Sequence, residues 1–191
     1  MEGVPRILVG VTGSVASIKL GALVEELLKL GQVRVVSTVC AEHFWGSLSL
    51  PSCVQLFRDK DEWSTWQTMG DSVLHIELRK WASVFVVAPL DANSLGKIAH
   101  GICDNLLTSV ARCWDVQAGT MLVAPAMNTL MWTHPTTKDS LTILEKWGIC
   151  VMQPVSKTLA CGDTGVGAMA SVTDIAQQVA KMLANKQQNM V

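Results

Sequence analysis

Short, unbroken apolar runs alternate along this chain with longer stretches of helical period, and few folds accommodate that alternation. Residues 7–11 form a β-rich apolar run that Thr12, Gly13 and Ser14 interrupt; Val15, Ile18, Leu20, Leu23, Leu27, Leu28 and Leu30 then recur at roughly helical spacing. The pattern repeats. Residues 33–39 read as a second strand and 84–88 as a third, followed by a helix over about 94–114. Residues 121–124 give a fourth strand, 136–147 a helix, 149–152 a fifth strand and 172–186 a closing helix. A strand that is apolar on both sides has to be covered on both faces, which a parallel sheet with crossover helices provides. The expected fold is therefore α/β: a single domain built as a doubly wound, Rossmann- or flavodoxin-like parallel sheet sandwich. Residues 41–81 are less regular. A helix near 41–44 and an amphipathic piece around 75–78 are expected there, and periodicity settles neither.

Composition narrows the function classes. The formal net charge is −1, and no basic cluster exists that would track a phosphate backbone or an anionic bilayer, so neither nucleic acid nor membrane is an expected partner. No apolar run approaches the ~18 residues that span a bilayer, and the start M-E-G-V-P-R has no secretory pattern, so a cytoplasmic protein is expected. The six cysteines include no C-x-x-C pair, which speaks against a zinc site or a redox dithiol and for reduced thiols. No metal is expected. A hydrophobic content of 49% suggests apolar surface buried between subunits of an oligomer.

In a doubly wound sheet, ligands collect outside the carboxyl ends of the strands. The loops there carry Thr12-Gly13-Ser14, Ser37-Thr38, Asp91-Ala92-Asn93-Ser94 and Pro125-Ala126-Met127-Asn128. The first offers a glycine for close approach, a hydroxyl and free N–H groups at a helix start, which suit one phosphate. A dinucleotide would need a further glycine and an acidic residue ending the second strand. The turn reads G-V-T-G-S-V-A and the strand ends in Ser37-Thr38, so NAD is disfavoured and a mononucleotide such as FMN fits better. An ordinary tight turn with an N-cap fits the same residues. Asn128 reads equally as a helix cap or as an amide that meets a carboxylate, and His75, in V-L-H-I-E-L, as a structural imidazole or an acid/base. Cys161 lies in the glycine-rich stretch K-T-L-A-C-G-D-T-G-V-G-A-M-A, residues 157–170. It is either a small buried hydrophobe or an acid carried on a flexible flap.

Taken together, G-S-V-A at 13–16, L-H-I-E-L-R at 74–79, P-L-D-A-N-S-L-G-K at 89–97, G-I-C-D-N-L-L-T at 101–108, P-A-M-N-T-L-M-W at 125–132 and A-C-G-D at 160–163 are far more specific than any one of them. The set resembles the homo-oligomeric flavin-containing cysteine decarboxylase family over about residues 7–183, and within it the single-function phosphopantothenoylcysteine branch. The resemblance implies FMN as cofactor and conversion of 4′-phosphopantothenoylcysteine to 4′-phosphopantetheine and carbon dioxide in coenzyme A synthesis. In that chemistry the cysteinyl thiol is oxidised to a thioaldehyde, which accepts the electrons left by the departing carboxylate, and the resulting enethiolate is then reduced.

Residue by residue, His75 matches the family histidine required for oxidative decarboxylation. Asn128 matches the asparagine that grips the substrate carboxylate, with Met131 in the same wall, and Cys161 matches the acid of the final reduction. FMN contacts implied by resemblance are Thr12, Gly13, Ser14, Thr38, Asp91, Ala92, Asn93, Ser94 and Ala126. Asp91 stands where relatives carry serine, and an aspartate cannot donate to a phosphate. Lys80 stands where some relatives have a second arginine, which leaves its part in binding the substrate phosphate open. The family forms trimers with shared sites, so His75 of one chain is expected to face Asn128 and Cys161 of its neighbour. Two other functions share the fold: a regulatory phosphatase-inhibitor subunit, whose members carry long, often acidic extensions, and a flavin prenyltransferase, which needs no A-C-G-D flap.

Overall fold

A computed structural model describes residues 4–45, 49–118, 120–158 and 164–188. Strand β1 (Arg6–Val11) lies at the centre of a six-stranded sheet, parallel to β2 (Gln32–Ser37) on one side and β4 (Val84–Leu90) on the other. Beyond β2 lies β3 (Gln55–Phe57); beyond β4 lie β5 (Met121–Pro125) and β6 (Cys150–Val151). The order is β3-β2-β1-β4-β5-β6, all parallel. The chain therefore winds outward in both directions from the β1/β4 boundary, as the apolar strands required. Every residue of β4 is buried, so both of its faces are covered.

Two separate apolar layers do the covering. On one side a 3-10 turn (Val15–Lys19), α1 (Leu20–Leu28) and α9 (Val172–Gln188) pack over Ile7, Val9, Val35 and Val86. On the other, α4 (Leu74–Trp81), α5 (Ala92–His100), α6 (Leu106–Arg112) and α8 (Pro135–Lys146) pack over Leu8, Val36, Phe85, Val87 and Val123. Neighbouring residues of β1 thus serve opposite layers, and each such side chain contributes ~1.5–3 kcal/mol on burial.

The long helix expected over 94–114 is two helices. Gly101 takes a left-handed φ of 74°, which closes α5, and Asn105 starts α6 with a side-chain cap to the Thr108 N–H at 2.9 Å. The irregular stretch resolves into α2 (Val39–Glu42), the edge strand β3, α3 (Asp59–Thr65) and α4. Its helices are short, and α3 has no buried residue to mark a period. A further short helix, α7 (Thr129–Thr133), follows β5 directly.

The glycine-rich stretch also differs from a plain loop. Its described parts form an antiparallel ribbon, β7 (Val155–Thr158) with β8 (Thr164–Ala168), and Met169 and Ala170 are buried in the core. The end of the expected flap at Met169 and Ala170 is thus packed in the core, and Cys161 lies outside the described residues.

Candidate functional site

Loops from β1, β2, β4 and β5 converge at the carboxyl edge of the sheet, around the β1/β4 boundary where ligand crevices form. Thr12 follows β1 and is fully buried; its hydroxyl donates to the Pro89 carbonyl at 2.9 Å and accepts from the Asp91 N–H at 2.7 Å. That hydroxyl ties the ends of β1 and β4 together. At Gly13 an added Cβ would stand 2.7 Å from the Cys40 Cβ and 3.0 Å from Asp91 Oδ2, so glycine is what lets three loops meet. Ser14 caps the following 3-10 turn through the Ala16 N–H at 3.3 Å.

Asp91 is the N-cap of α5, accepting the Ser94 N–H at 2.7 Å. An aspartate that could not donate to a phosphate therefore has a positional use: it starts the helix and orders the turn. Ala92 faces the neighbouring cavity, Asn93 is exposed and Ser94 is buried. Ala126 is buried and its N–H donates to the Leu90 carbonyl at 2.9 Å, which holds the β5 loop against β4. Thr38 sits at the end of β2, with its N–H on the Val11 carbonyl at 3.0 Å and its Oγ1 buried without a partner among the described residues. A buried hydroxyl left unpaired costs ~1–3 kcal/mol, so this edge is built to receive a polar guest. The orphaned hydroxyl, the glycine cradle and the capped helix start fit a flavin mononucleotide.

A cavity of about 280 Å³ opens beside this edge, lined by Ala92, Asn128, Met131 and His134 among others. Asn128 is the N-cap of α7: its Oδ1 accepts the Met131 N–H at 2.8 Å. The helix-cap reading of this asparagine is what the structure shows, and capping engages the oxygen, not Nδ2. Two ribbon glycines back this loop. A Cβ on Gly165 would stand 2.4 Å from Thr129 Oγ1, and one on Gly167 would stand 2.1 Å from the Met127 carbonyl oxygen, so β8 lies directly against residues 127–129. The Met127 N–H donates to the Gly167 carbonyl at 3.0 Å. Strand β8 is thereby docked beside Asn128. His134, to which the sequence assigned no role, joins the same cavity and caps α8; the H-P pair at a helix start was its only signal.

His75 stands apart from that cavity, in the first turn of α4. Its Nδ1 lies 2.5 Å from Glu62 Oε1, and its N–H donates to Glu62 Oε2 at 3.1 Å. Glu62 belongs to α3, which the sequence did not reveal. Cys113, at the end of α6, places its Sγ 3.8 Å from the His75 carbonyl oxygen, and burial pushes that thiol's pKa up. Lys80 pairs with Glu77 at 3.1 Å on the surface. The residues expected to hold FMN, with Asn128 and Met131, thus gather at the sheet edge, while His75 lies on α4 and does not line that cavity. Among the described residues no group of side chains has the makings of a metal site, and no helix is long and apolar enough to cross a membrane.

A doubly wound sheet with a polar cradle at its strand-order reversal, next to a cavity headed by an amide, defines an α/β protein of the mononucleotide-binding class. More particularly, residues 1–184 match the Flavoprotein family, and the chain belongs to it. It is 54% identical to phosphopantothenoylcysteine decarboxylase of Arabidopsis thaliana over 166 residues, covering 87% of this chain and 79% of that one. A solved cysteine-to-serine variant of PPC decarboxylase, complexed with pantothenoylaminoethenethiol, superposes with a TM-score of 0.91 at 50% identity, covering 94% and 98% of the two chains. The FMN binding protein AtHal3 gives a TM-score of 0.86 at 52% identity over 93% and 95%.

Proposed function

We propose that this protein is an FMN-dependent decarboxylase that converts 4′-phosphopantothenoylcysteine to 4′-phosphopantetheine and carbon dioxide in coenzyme A synthesis. The observation that carries this reading is the half-identical relative with a TM-score of 0.91, whose bound molecule is named as an enethiol, the skeleton a cysteinyl group has after losing its carboxylate.

A carboxylate departs readily only where its electron pair has somewhere to go. Bound FMN would supply that sink by withdrawing two electrons from the cysteinyl thiol carbon, and would return them at the end. The chain's own residues hold and orient. Thr12, Gly13, Ser14, Thr38, Ala126 and the turn Asp91, Ala92, Asn93 and Ser94 form the cofactor cradle, Thr12 and Asp91 by shaping it and Thr38 by offering its spare hydroxyl. Asn128 donates from Nδ2 to the substrate carboxylate, and Met131 walls the pocket. His75 takes up the proton that the oxidation releases, and Cys161 donates one in the closing reduction. Because His75 is not among the residues that line the Asn128 cavity, we assign complete sites to the contact between neighbouring chains of a trimer. The free thiols Cys40, Cys53, Cys103, Cys113 and Cys150 suit the reducing cytoplasm, where we place the protein.

Purified protein should carry a yellow flavin and release carbon dioxide from phosphopantothenoylcysteine, read as trapped labelled gas. A flavin-loaded protein that releases none would refute the assignment.

A further inference from the structure

We infer that Glu62 is the positioning residue of His75: it accepts the Nδ1 proton, fixes the tautomer of the ring and leaves Nε2 as the atom that meets substrate. The inference rests on the reading of His75 as the proton acceptor of the decarboxylation. One carboxylate grips both the main chain and the ring of one residue, with Oε2 on the His75 N–H at 3.1 Å and Oε1 on Nδ1 at 2.5 Å. An ionised carboxylate only accepts, so the proton shared with Nδ1 belongs to the imidazole, and neutral His75 carries its lone pair on Nε2.

The pair is sheltered and braced. Side-chain exposure is 16% for Glu62 and 27% for His75, which strengthens an electrostatic contact relative to open solvent. The helix carrying Glu62 is pinned at its start. The Arg58 N–H donates to Asp61 at 2.8 Å, the Arg58 guanidinium meets Glu42 at 2.9 Å, and Asp59 accepts the Leu106 N–H at 2.9 Å. Cys113, at the end of α6, interacts electrostatically with both Glu62 and Arg79 of α4. Burial raises the Cys113 thiol's pKa, which favours its neutral form. Glu62 is thus the group that sets the ring. When substrate S–H breaks, its proton goes to Nε2, the electron pair stays on sulfur, and the Glu62 charge offsets the imidazolium that forms.

The test compares flavin-loaded wild type, Glu62→Gln, Glu62→Asp, His75→Asn and the double variant Glu62→Gln/His75→Asn. Nitrogen-15 spectra of the histidine ring should show wild-type His75 protonated at Nδ1, and Glu62→Gln should lose that signature. Turnover of Glu62→Gln should fall about 10²-fold or more, the range a positioned acid/base commands. KM should stay within about threefold. Glu62→Asp should recover part of the loss, and Glu62→Gln should cost nothing further in the His75→Asn background. Wild-type His75 unprotonated at Nδ1, a Glu62→Gln turnover within about threefold of wild type, or an equal loss in both backgrounds would overturn the inference. Failure of wild type to release carbon dioxide would instead sink the decarboxylase reading, with the ring spectra still reporting on Glu62.

Discussion

Asn128 is observed in one role and proposed for another. Its oxygen caps α7 through the Met131 N–H at 2.8 Å, and its amide nitrogen is the proposed donor to the substrate carboxylate. Asn128→Asp separates the two, because aspartate is an equally good cap but replaces the donor with a negative charge. The expected outcome is an unchanged melting temperature with kcat/KM lowered at least ~10–100-fold, the cost of an unmade or repelled charged hydrogen bond. Steady-state kinetics beside calorimetry checks it. At this scale the sequence was readable where a motif marked a local feature: a Cβ at Gly13 would meet Cys40 and Asp91, and Asn128 caps the helix that follows it. It was not readable where a partner comes from far along the chain. Nothing local ties the Thr12 hydroxyl to Pro89 and Asp91, 77 and 79 residues away, or joins Glu62 to His75 across 13 residues.

Among the elements, the strands were the legible part, since β1, β4 and β5 are buried on both faces and read as continuous apolar runs. The helix break at Gly101 was hidden because apolar residues continue on either side of it. Between β2 and β4, the expected helix near 41–44 and amphipathic piece around 75–78 correspond to α2 and α4. Strand β3 and helix α3 were hidden: β3 has three residues and α3 buries none, so this part is held by caps and ion pairs rather than a periodic apolar face. One of those devices responds to pH. Asp71 accepts the Gln67 and Thr68 N–H groups, both at 2.8 Å, and these bonds hold its carboxyl below the usual aspartate value. A depressed folded-state pKa means that the ordering is present above the unfolded value of ~3.9 and is lost as pH falls through the lowered one. Amide exchange at Gln67 and Thr68, in the segment that leads into α4, should therefore stay slow above pH ~4 and accelerate in stronger acid. The Asp71→Asn variant should exchange fast throughout.

At the scale of the molecule, apolar side chains remain in the open around the candidate site: Val39 is 74% exposed, Trp63 79% and Leu130 81%. The proposed trimer, by burying such groups between chains, would also bring His75 to the Asn128 of a neighbour. Subunit mixing tests this. His75→Asn and Asn128→Asp proteins, each strongly impaired alone, should gain activity when co-assembled, with roughly a quarter of sites complete on random mixing. No recovery would place both residues in one chain's own site. The most direct measurement of the whole account is the mass of the product that wild type and Cys161→Ser release from phosphopantothenoylcysteine. Wild type should give phosphopantetheine, the substrate less carbon dioxide, and the variant should give the same skeleton lacking two further hydrogens, because reduction stalls without its acid. A wild-type product that keeps its carboxylate, or fully reduced phosphopantetheine from the variant at the normal rate, would contradict it.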